Sequence, residues 1–370
     1  MEKSTVYFTS FRCKVGVSQL DKLRKLLTAA GMGKIDFQDK FTAIKIHFGE
    51  PGNLAYLRPN YAKVVADMVR EMGGRPFLTD CNTLYVGRRK NALDHLDAAY
   101  ENGYNPFTTG CQIIIGDGLK GTDDVEVPVE GGVYVKNAKI GKAIMDADAI
   151  ISLSHFKGHE ATGFGGALKN LGMGCGSRGG KMEMHSAGKP SVNHDLCVGC
   201  GICRKNCAHD AITIEERKAT IDHSRCVGCG RCIGACPRDA VSPDYDEAND
   251  ILNCKIAEYT KAVIDGRPNF HISLIVDVSP NCDCHSENDV PIIPDIGMLA
   301  SFDPVALDQC CADLCNSAPV MAGSVLGSES EHCHHDHFTD VHPETNWQSC
   351  LEHAVKLGMG SRDYEMITVE

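Results

Sequence analysis

Apolar residues return along this chain in two rhythms, one of period two and one of three to four residues. Residues 4–8 alternate as a first strand, and Ser18 caps a helix with Leu20, Leu23, Leu26 and Leu27 on one face. Phe41 to Phe48 alternates again as a strand that runs into Gly49-Glu50-Pro51-Gly52. Pro59 opens a helix with Val64, Val65, Met68 and Val69 inward, ended by Gly73-Gly74, and Pro76 to Asp80 forms the next strand. The pattern then predicts a helix over 88–102, a strand over 112–115, a helix over 140–146 and a strand over 149–153.

Beyond residue 245 the same alternation resumes. A helix is expected over 246–264, strands over 271–278 and 297–300, and a helix over 304–314. Strands exchanging with helices in this way predict an α/β fold with a doubly wound, mostly parallel sheet. The sheet pattern stops and restarts around the middle of the chain. The expectation is therefore one discontinuous domain, residues 1–188 and 245–370, interrupted by a module at 189–244.

That module holds eight cysteines in two copies of one spacing, C-x2-C-x2-C-x3-C. The copies are Cys197, Cys200, Cys203, Cys207 and Cys226, Cys229, Cys232, Cys236. Three thiolates two residues apart suit three irons of one cubane, and the displaced fourth reaches the other cluster. The expected sets are crossed: Cys197, Cys200, Cys203 with Cys236, and Cys226, Cys229, Cys232 with Cys207. Zinc ribbons use paired C-x2-C corners and leave the third cysteine of each run without a role. Val198-Gly199 and Gly201 recur as Val227-Gly228 and Gly230, so a half-motif is duplicated. Ile212, Ile214, Ala219 and Ile221 alternate around Glu215 to Lys218 and predict a short hairpin over the clusters.

Composition narrows the partners. A net charge of −12 disfavours nucleic acid, which rewards clustered Lys and Arg, and only Arg88-Arg89-Lys90 forms a tight basic run. No stretch approaches the ~20 apolar residues of a membrane span, and the first residues lack the apolar run of a signal peptide, so a cytoplasmic protein is expected. Twenty cysteines in such a compartment read as metal ligands, active-site thiols or core residues.

In a parallel sheet, ligands gather beyond the carboxyl ends of the strands. This makes His47 to Asn53, Thr79 to Tyr85 and Ser154 to Lys169 the candidate loops. The third carries His155 and His159 for proton transfer and Lys169 as a cation or covalent anchor. Its Gly163-Phe164-Gly165-Gly166 opens a helix whose N-terminus would suit an anion. Cys282-Asp283-Cys284-His285 and the tail His332, His334, His335 and His337 have the composition of further divalent-metal ligands, for nickel or zinc. Packing of small cysteines and a solvated histidine tract are the alternatives there.

The eight-cysteine stretch resembles the bacterial two-cluster ferredoxins at every ligand, with Ala208 in place of the proline that follows the fourth cysteine in the second copy, Pro237. The segments HFGEPGN, TDCNTLYVGRR, SHFKGHEATGFGGALKNLGMGC, VDVSPNCDCH, PDIGMLASFDPVALDQ and HAVKLGMG together resemble the DUF362 family of iron–sulfur proteins. A shorter stretch is similar to the nickel-pincer lactate racemases. His159, the glycine run, Lys169 and His185 keep their order and spacing, which implies proton transfer by His159, a cofactor on Lys169 and metal at His185. Leu168 stands where those enzymes carry arginine.

These readings imply an oxidoreductase site in the α/β domain served by two 4Fe–4S clusters, with an outside redox protein or small-molecule donor or acceptor. The alternatives are a non-catalytic electron carrier or metal-handling protein, and a pincer-type isomerase.

Overall fold

The computed structural model describes residues 3–84, 87–185, 189–243, 248–328 and 336–370. One large sheet collects strands from both ends of the chain. They are β1 Ser4–Ser10, β2 Phe41–Lys45, β3 Arg75–Asp80, β4 Gln112–Ile115, β5 Ala149–His155, β6 Asn269–Ile275, β7 Gly297–Ser301 and β8 Tyr364–Thr368. The eight strands lie in the order β8-β1-β7-β6-β5-β2-β3-β4. Only β7 runs against its neighbours β1 and β6; the other pairs are parallel.

Successive residues of each strand face opposite layers. Ile44, Leu78 and Ile151 join one apolar core, while their predecessors Ala43, Phe77 and Ile150 join another. The first core is covered by α1 Gln19–Ala29 and α2 Pro59–Glu71, through Leu23, Leu26, Val65 and Val69, with α3 Ala92–Glu101 adding Ala99. The opposite face is covered by α4 Ala167–Cys175, α6 Asn249–Ile264, α7 Pro304–Asn316 and α8 Gln348–Lys356. α5 Arg178–His185 follows α4 in the chain, packs beside both α4 and α6, and is buried almost throughout. Central β5 is buried at every position, as a strand covered on both faces must be.

β5 precedes the cysteine-rich segment and β6 follows it, yet the two pair side by side from Ile150 to His155. The segment itself closes on a small ladder, Pro190–Val192 against Val241–Pro243. Within it Ile212–Glu215 and Lys218–Ile221 form the expected hairpin, with Ile212 opposite Ile221 and Ile214 opposite Ala219. Its tight turn holds Glu216 and Arg217 at positive φ. The duplication extends to the backbone: Asp210 and Asp239, at matching places, have φ 47° and 51°.

Several elements differ from the sequence reading: α5 and α8 were not anticipated, and β2 ends at Lys45 instead of reaching Phe48. Residues 137–141 are a strand paired with Asp124–Pro128, and only Lys142–Met145 is helical. Ala138 and Ile140 are buried two apart, a strand spacing that the short window hid. The helix expected over 88–102 begins at Ala92, because Asn91 caps it through bonds from the Leu93 and Asp94 amides. β8 was not anticipated; it is mostly exposed and carries little apolar pattern.

Helices α4 and α6 cross at Gly172, where a Cβ would stand 2.2 Å from the Ile256 carbonyl oxygen and 2.8 Å from Thr260 Oγ1. Gly172→Ala should therefore destabilise the fold by about 1–3 kcal/mol, as overpacking does, and urea denaturation measures the loss.

Candidate functional site

Strand order reverses between β2 and β5, and a crevice opens at their carboxyl ends. β2 brings Lys45 with His47 just beyond it, β3 brings Asp80, and β5 brings His155 and Lys157. α4 adds Lys169 and Asn170, α5 adds Lys181, and the loop after β6 adds Cys282 and Cys284. The cleft wall thus carries Lys45, Arg89, Lys157, Lys169 and Lys181 against one carboxylate, Asp80. A chain of net charge −12 has gathered cations in its crevice.

The deepest of them is Lys45, with no exposed surface. Its Nζ lies 3.0 Å from Asp80 Oδ1 and donates to Asn170 Oδ1 at 2.8 Å. Burial works to raise the Asp80 carboxyl, but Lys45 holds it well below the usual carboxylate range. Arg89, also buried, donates to Glu50 at 2.7 Å and meets His47 Nε2 at 2.9 Å. Burial, reinforced by Arg89, pushes His47 down and keeps its ring neutral.

His155 reaches Asp283 through Nδ1 at 2.8 Å and the Val276 carbonyl through Nε2 at 2.7 Å. Both nitrogens are committed to acceptors, so this residue braces the Cys282 loop. Lys157 Nζ stands 3.4 Å from the same carboxylate. Although burial opposes it, His155 and Lys157 hold Asp283 well below the ordinary range.

His159 is different. Its Nδ1 accepts from the Ala161 and Thr162 amides at 3.0 and 3.2 Å, which leaves the ring proton on Nε2. That Nε2 is buried and has no hydrogen-bond partner among the described residues. Burial, with Lys169 second, lowers its pKa. One ring nitrogen of His159 and the sulfurs of Cys282 and Cys284 lie within 4.8 Å of one another. Lys169 Nζ approaches Cys282 Sγ at 3.8 Å. A hydrogen bond from Cys284, with Lys169 and Lys157, holds Cys282 well below an ordinary thiol against the effect of burial. That bond to Cys282 and burial push Cys284 up.

The helix N-terminus after the glycine run is not open to a ligand. Asp308 of α7 accepts from the Ala167 and Leu168 amides at 2.7 and 2.9 Å. Gly166 makes room for it, since a Cβ there would lie 2.3 Å from Asp308 Oδ1. The expected anion seat is filled from within. Burial pushes the Asp308 carboxyl up to about 7 despite both bonds.

His185, at the end of α5, is buried, and burial followed by Lys169, His159 and Lys181 pushes it down to about 3. The structure therefore brings His159, Lys169 and His185 into one electrostatic neighbourhood. His285 turns to Glu160 at 2.9 Å, and the two form a second donor group with Cys284. His337 bonds the Ala318 carbonyl; His332, His334 and His335 lie outside the described residues. The sequence reading passed over Lys45 and Lys181, placed Lys157 only within the candidate loop Ser154 to Lys169, and read Arg89 only as part of a basic run. Of the two passed over, Lys45 alone had left a signal, a lysine at an inward position of the FTAIKIHF strand.

In the cysteine-rich segment Cys197, Cys200, Cys203 and Cys236 line one cavity, with Ile214 and Ala219. Cys207, Cys226, Cys229 and Cys232 line a second, with Ile212 and Ile221. Gly199, Gly201, Gly228 and Gly230 all have positive φ between these ligands, which lets each loop curl tightly around its cavity.

A family profile described as a domain of unknown function, DUF362, matches residues 42–313. The thylakoid-associated protein sll1697 of Synechocystis sp. is 29% identical over 185 residues, which is 47% of this chain and 51% of that protein. The chain thus spans about half the length of this relative. Among solved structures, the lactate racemase apoprotein of Thermoanaerobacterium thermosaccharolyticum is 10% identical with a TM-score of 0.35. The match covers 73% of this chain and 51% of that one. A Thermotoga maritima protein is 14% identical with a TM-score of 0.38, covering 75% and 54%.

The buried Asp308 cap sets a pH dependence. Its folded pKa of about 7 exceeds the ordinary 3.8, so the stability it contributes is full below that value and is lost as pH rises toward about 7. Asp308→Asn should remove this part of the profile. Urea denaturation at pH 5 and pH 8 should show wild type losing more stability between the two than the variant.

Proposed function

The chain belongs to the DUF362 family, whose description assigns no activity, and from its site we propose that it is an iron–sulfur protein that exchanges electrons with an anionic small molecule held in the cationic cleft. The observation that carries this reading is the pair of four-cysteine cavities beside that cleft. The donor set fits 4Fe–4S clusters: four free thiols to each cavity, largely apolar walls, glycines at positive φ between the ligands, and Ala219 and Ala240 amides that donate to the Cys197 and Cys236 sulfurs. In each cavity the fourth cysteine comes from the other copy, in keeping with the crossed sets. When bound, the clusters supply one-electron storage and transfer. The module at 189–244 would be a two-cluster ferredoxin unit inserted in the α/β domain.

The chain's own residues do the rest. Lys157, Lys169 and Lys181 attract and orient a carboxylate or phosphate in a crevice shielded from bulk water, where each charge counts for more than at the surface. His159 keeps its proton on Nε2 beside the cleft and can donate it in a hydrogen bond to a bound anion. His155 and Asp283 keep the Cys282 loop in place. The fixed pair Lys45–Asp80 sits at the floor and keeps the switch point closed.

A second reading, a pincer-type isomerase, draws on the gathering of His159, Lys169 and His185. Lys169 would anchor a cofactor and His185 would ligate its nickel. Intact-mass spectrometry separates the two readings, since only this one leaves added mass on Lys169.

Anaerobically purified protein should hold about eight irons per chain. Cys207→Ser should disturb the cluster of Cys226, Cys229 and Cys232, and loss of the Cys197 set's spectrum instead would overturn the crossed assignment. Lys169→Ala should weaken binding of small carboxylates or phosphate at least about tenfold by calorimetry, one buried charge-assisted contact, with the iron count unchanged. Undiminished anion binding would move the substrate site away from this cleft.

A further inference from the structure

The two copies of the cysteine motif are alike in ligands and unlike in surroundings. Between its last two ligands the first copy carries Arg204, Lys205 and Asn206; the second carries Ile233, Gly234 and Ala235. The first three are polar, with Arg204 and Lys205 exposed and Cys200 exposed nearby. Ile233 is buried with Cys232 against Met182 and Leu84 of the α/β body. Asp239, just beyond the second copy, forms an ion pair with Lys90 of that body.

Helix α5 lies between this second copy and the cleft. Lys181 lines the cleft and His185 feels Lys169 and His159. Arg178 and Met182, one turn apart, face the second cysteine loop. The Arg178 guanidinium lies over the short helix Arg231–Ala235, where a Cβ on Gly234 would come within 2.1 Å of Nη1. Gly230 is equally tight against the Arg178 stem, at 2.6 Å from Cγ. Only 1% of Arg178 is exposed. Nη1 donates to the Lys120 carbonyl at 2.5 Å and Nη2 to the Lys90 carbonyl, while Nε has no partner among the described residues. Its acidic neighbours are Asp117 and the thiols Cys232 and Cys229.

We propose that the cluster held by Cys226, Cys229, Cys232 and Cys207 is the one wired to the cleft, and that Arg178 is the positioning residue that raises its reduction potential; this rests on the iron–sulfur reading above. Reduction adds one negative charge to a cluster, without bond or proton changes. A buried cation beside it stabilises the reduced form, because a low-dielectric surround leaves the attraction poorly screened. In the Cys197 cluster's surroundings Cys200 is exposed, and the arginine of its cavity wall, Arg238, is exposed as well, so no cation in that wall is buried as Arg178 is. An electron arriving there passes to the Cys226 cluster, which is reduced as its neighbour is oxidised, and is then next to α5 and the cleft.

EPR-monitored potentiometric titration of the full anaerobic protein tests this, with Cys207→Ser used to assign the two midpoints. Arg178→Gln should lower the Cys226-set midpoint by at least 59 mV, tenfold for one electron, and leave the other in place. Arg178→Lys should largely retain it. Gly234→Ala keeps the cation in the chain but pushes it off the loop, and should lower the same midpoint should Arg178→Gln fail to fold. Midpoints that stay put in both variants, move together, or shift only for the Cys197 set would overturn the proposal. Wild-type protein without about eight irons would instead overturn the reading on which it rests.

Discussion

A lysine ammonium with no exposed surface cannot remain charged inside a protein without a counter-charge and bonds for its protons. Losing water costs several kcal/mol per ion even after relaxation. Lys45 meets the condition with Asp80 from the neighbouring strand and Asn170 from α4. Asn170 in turn donates to the Lys45 and Leu153 carbonyls, so one side chain ties α4 to β2 and β5 together. Everything carried by α4 inherits that position: Lys169, the capped amides under Asp308, and the crossing with α6 at Gly172. The ion pair adds little net stability, but removing either partner would strand the other charge at the strand ends.

The same logic explains the contrast between surface and crevice. An acidic exterior surrounds a cleft with five cationic side chains in its wall, and low-dielectric walls focus that field on whatever enters. The crevice wall is thus opposite in sign to the net charge of the chain.

What could be read from the chain followed the strength of its periodicity. β2, β3 and β5, the helices at α1 and α2, and the hairpin around Glu215 to Lys218 all carry repeating patterns, and all formed where expected. The mixed α/β class with its mostly parallel sheet was legible for the same reason. Ile140 and Gly141 were read into the helix that follows because the strand they end, Asn137–Gly141, is too short to show its alternation. β8 was missed because an edge strand packs little. At the site, the loops were located by the rule of strand ends, but partners distant in sequence were not: nothing near Gly166 announces Asp308, and nothing near His155 announces Asp283. His155 looked like a proton carrier until both its nitrogens were seen to be committed.

The ladder between Pro190–Val192 and Val241–Pro243 changes how the chain can assemble. β5 and β6 are the middle of the sheet, yet the entire cysteine-rich segment separates them. A floppy connection of that length would raise the entropy of closing the pair, and contacts far apart in sequence slow folding. Once the ladder ties the two ends of the segment together, the connection behaves like a short loop. The order of events then matters: a segment that closes on itself first presents β6 to β5 as a near neighbour, so the small ladder is a step that speeds the completion of the sheet.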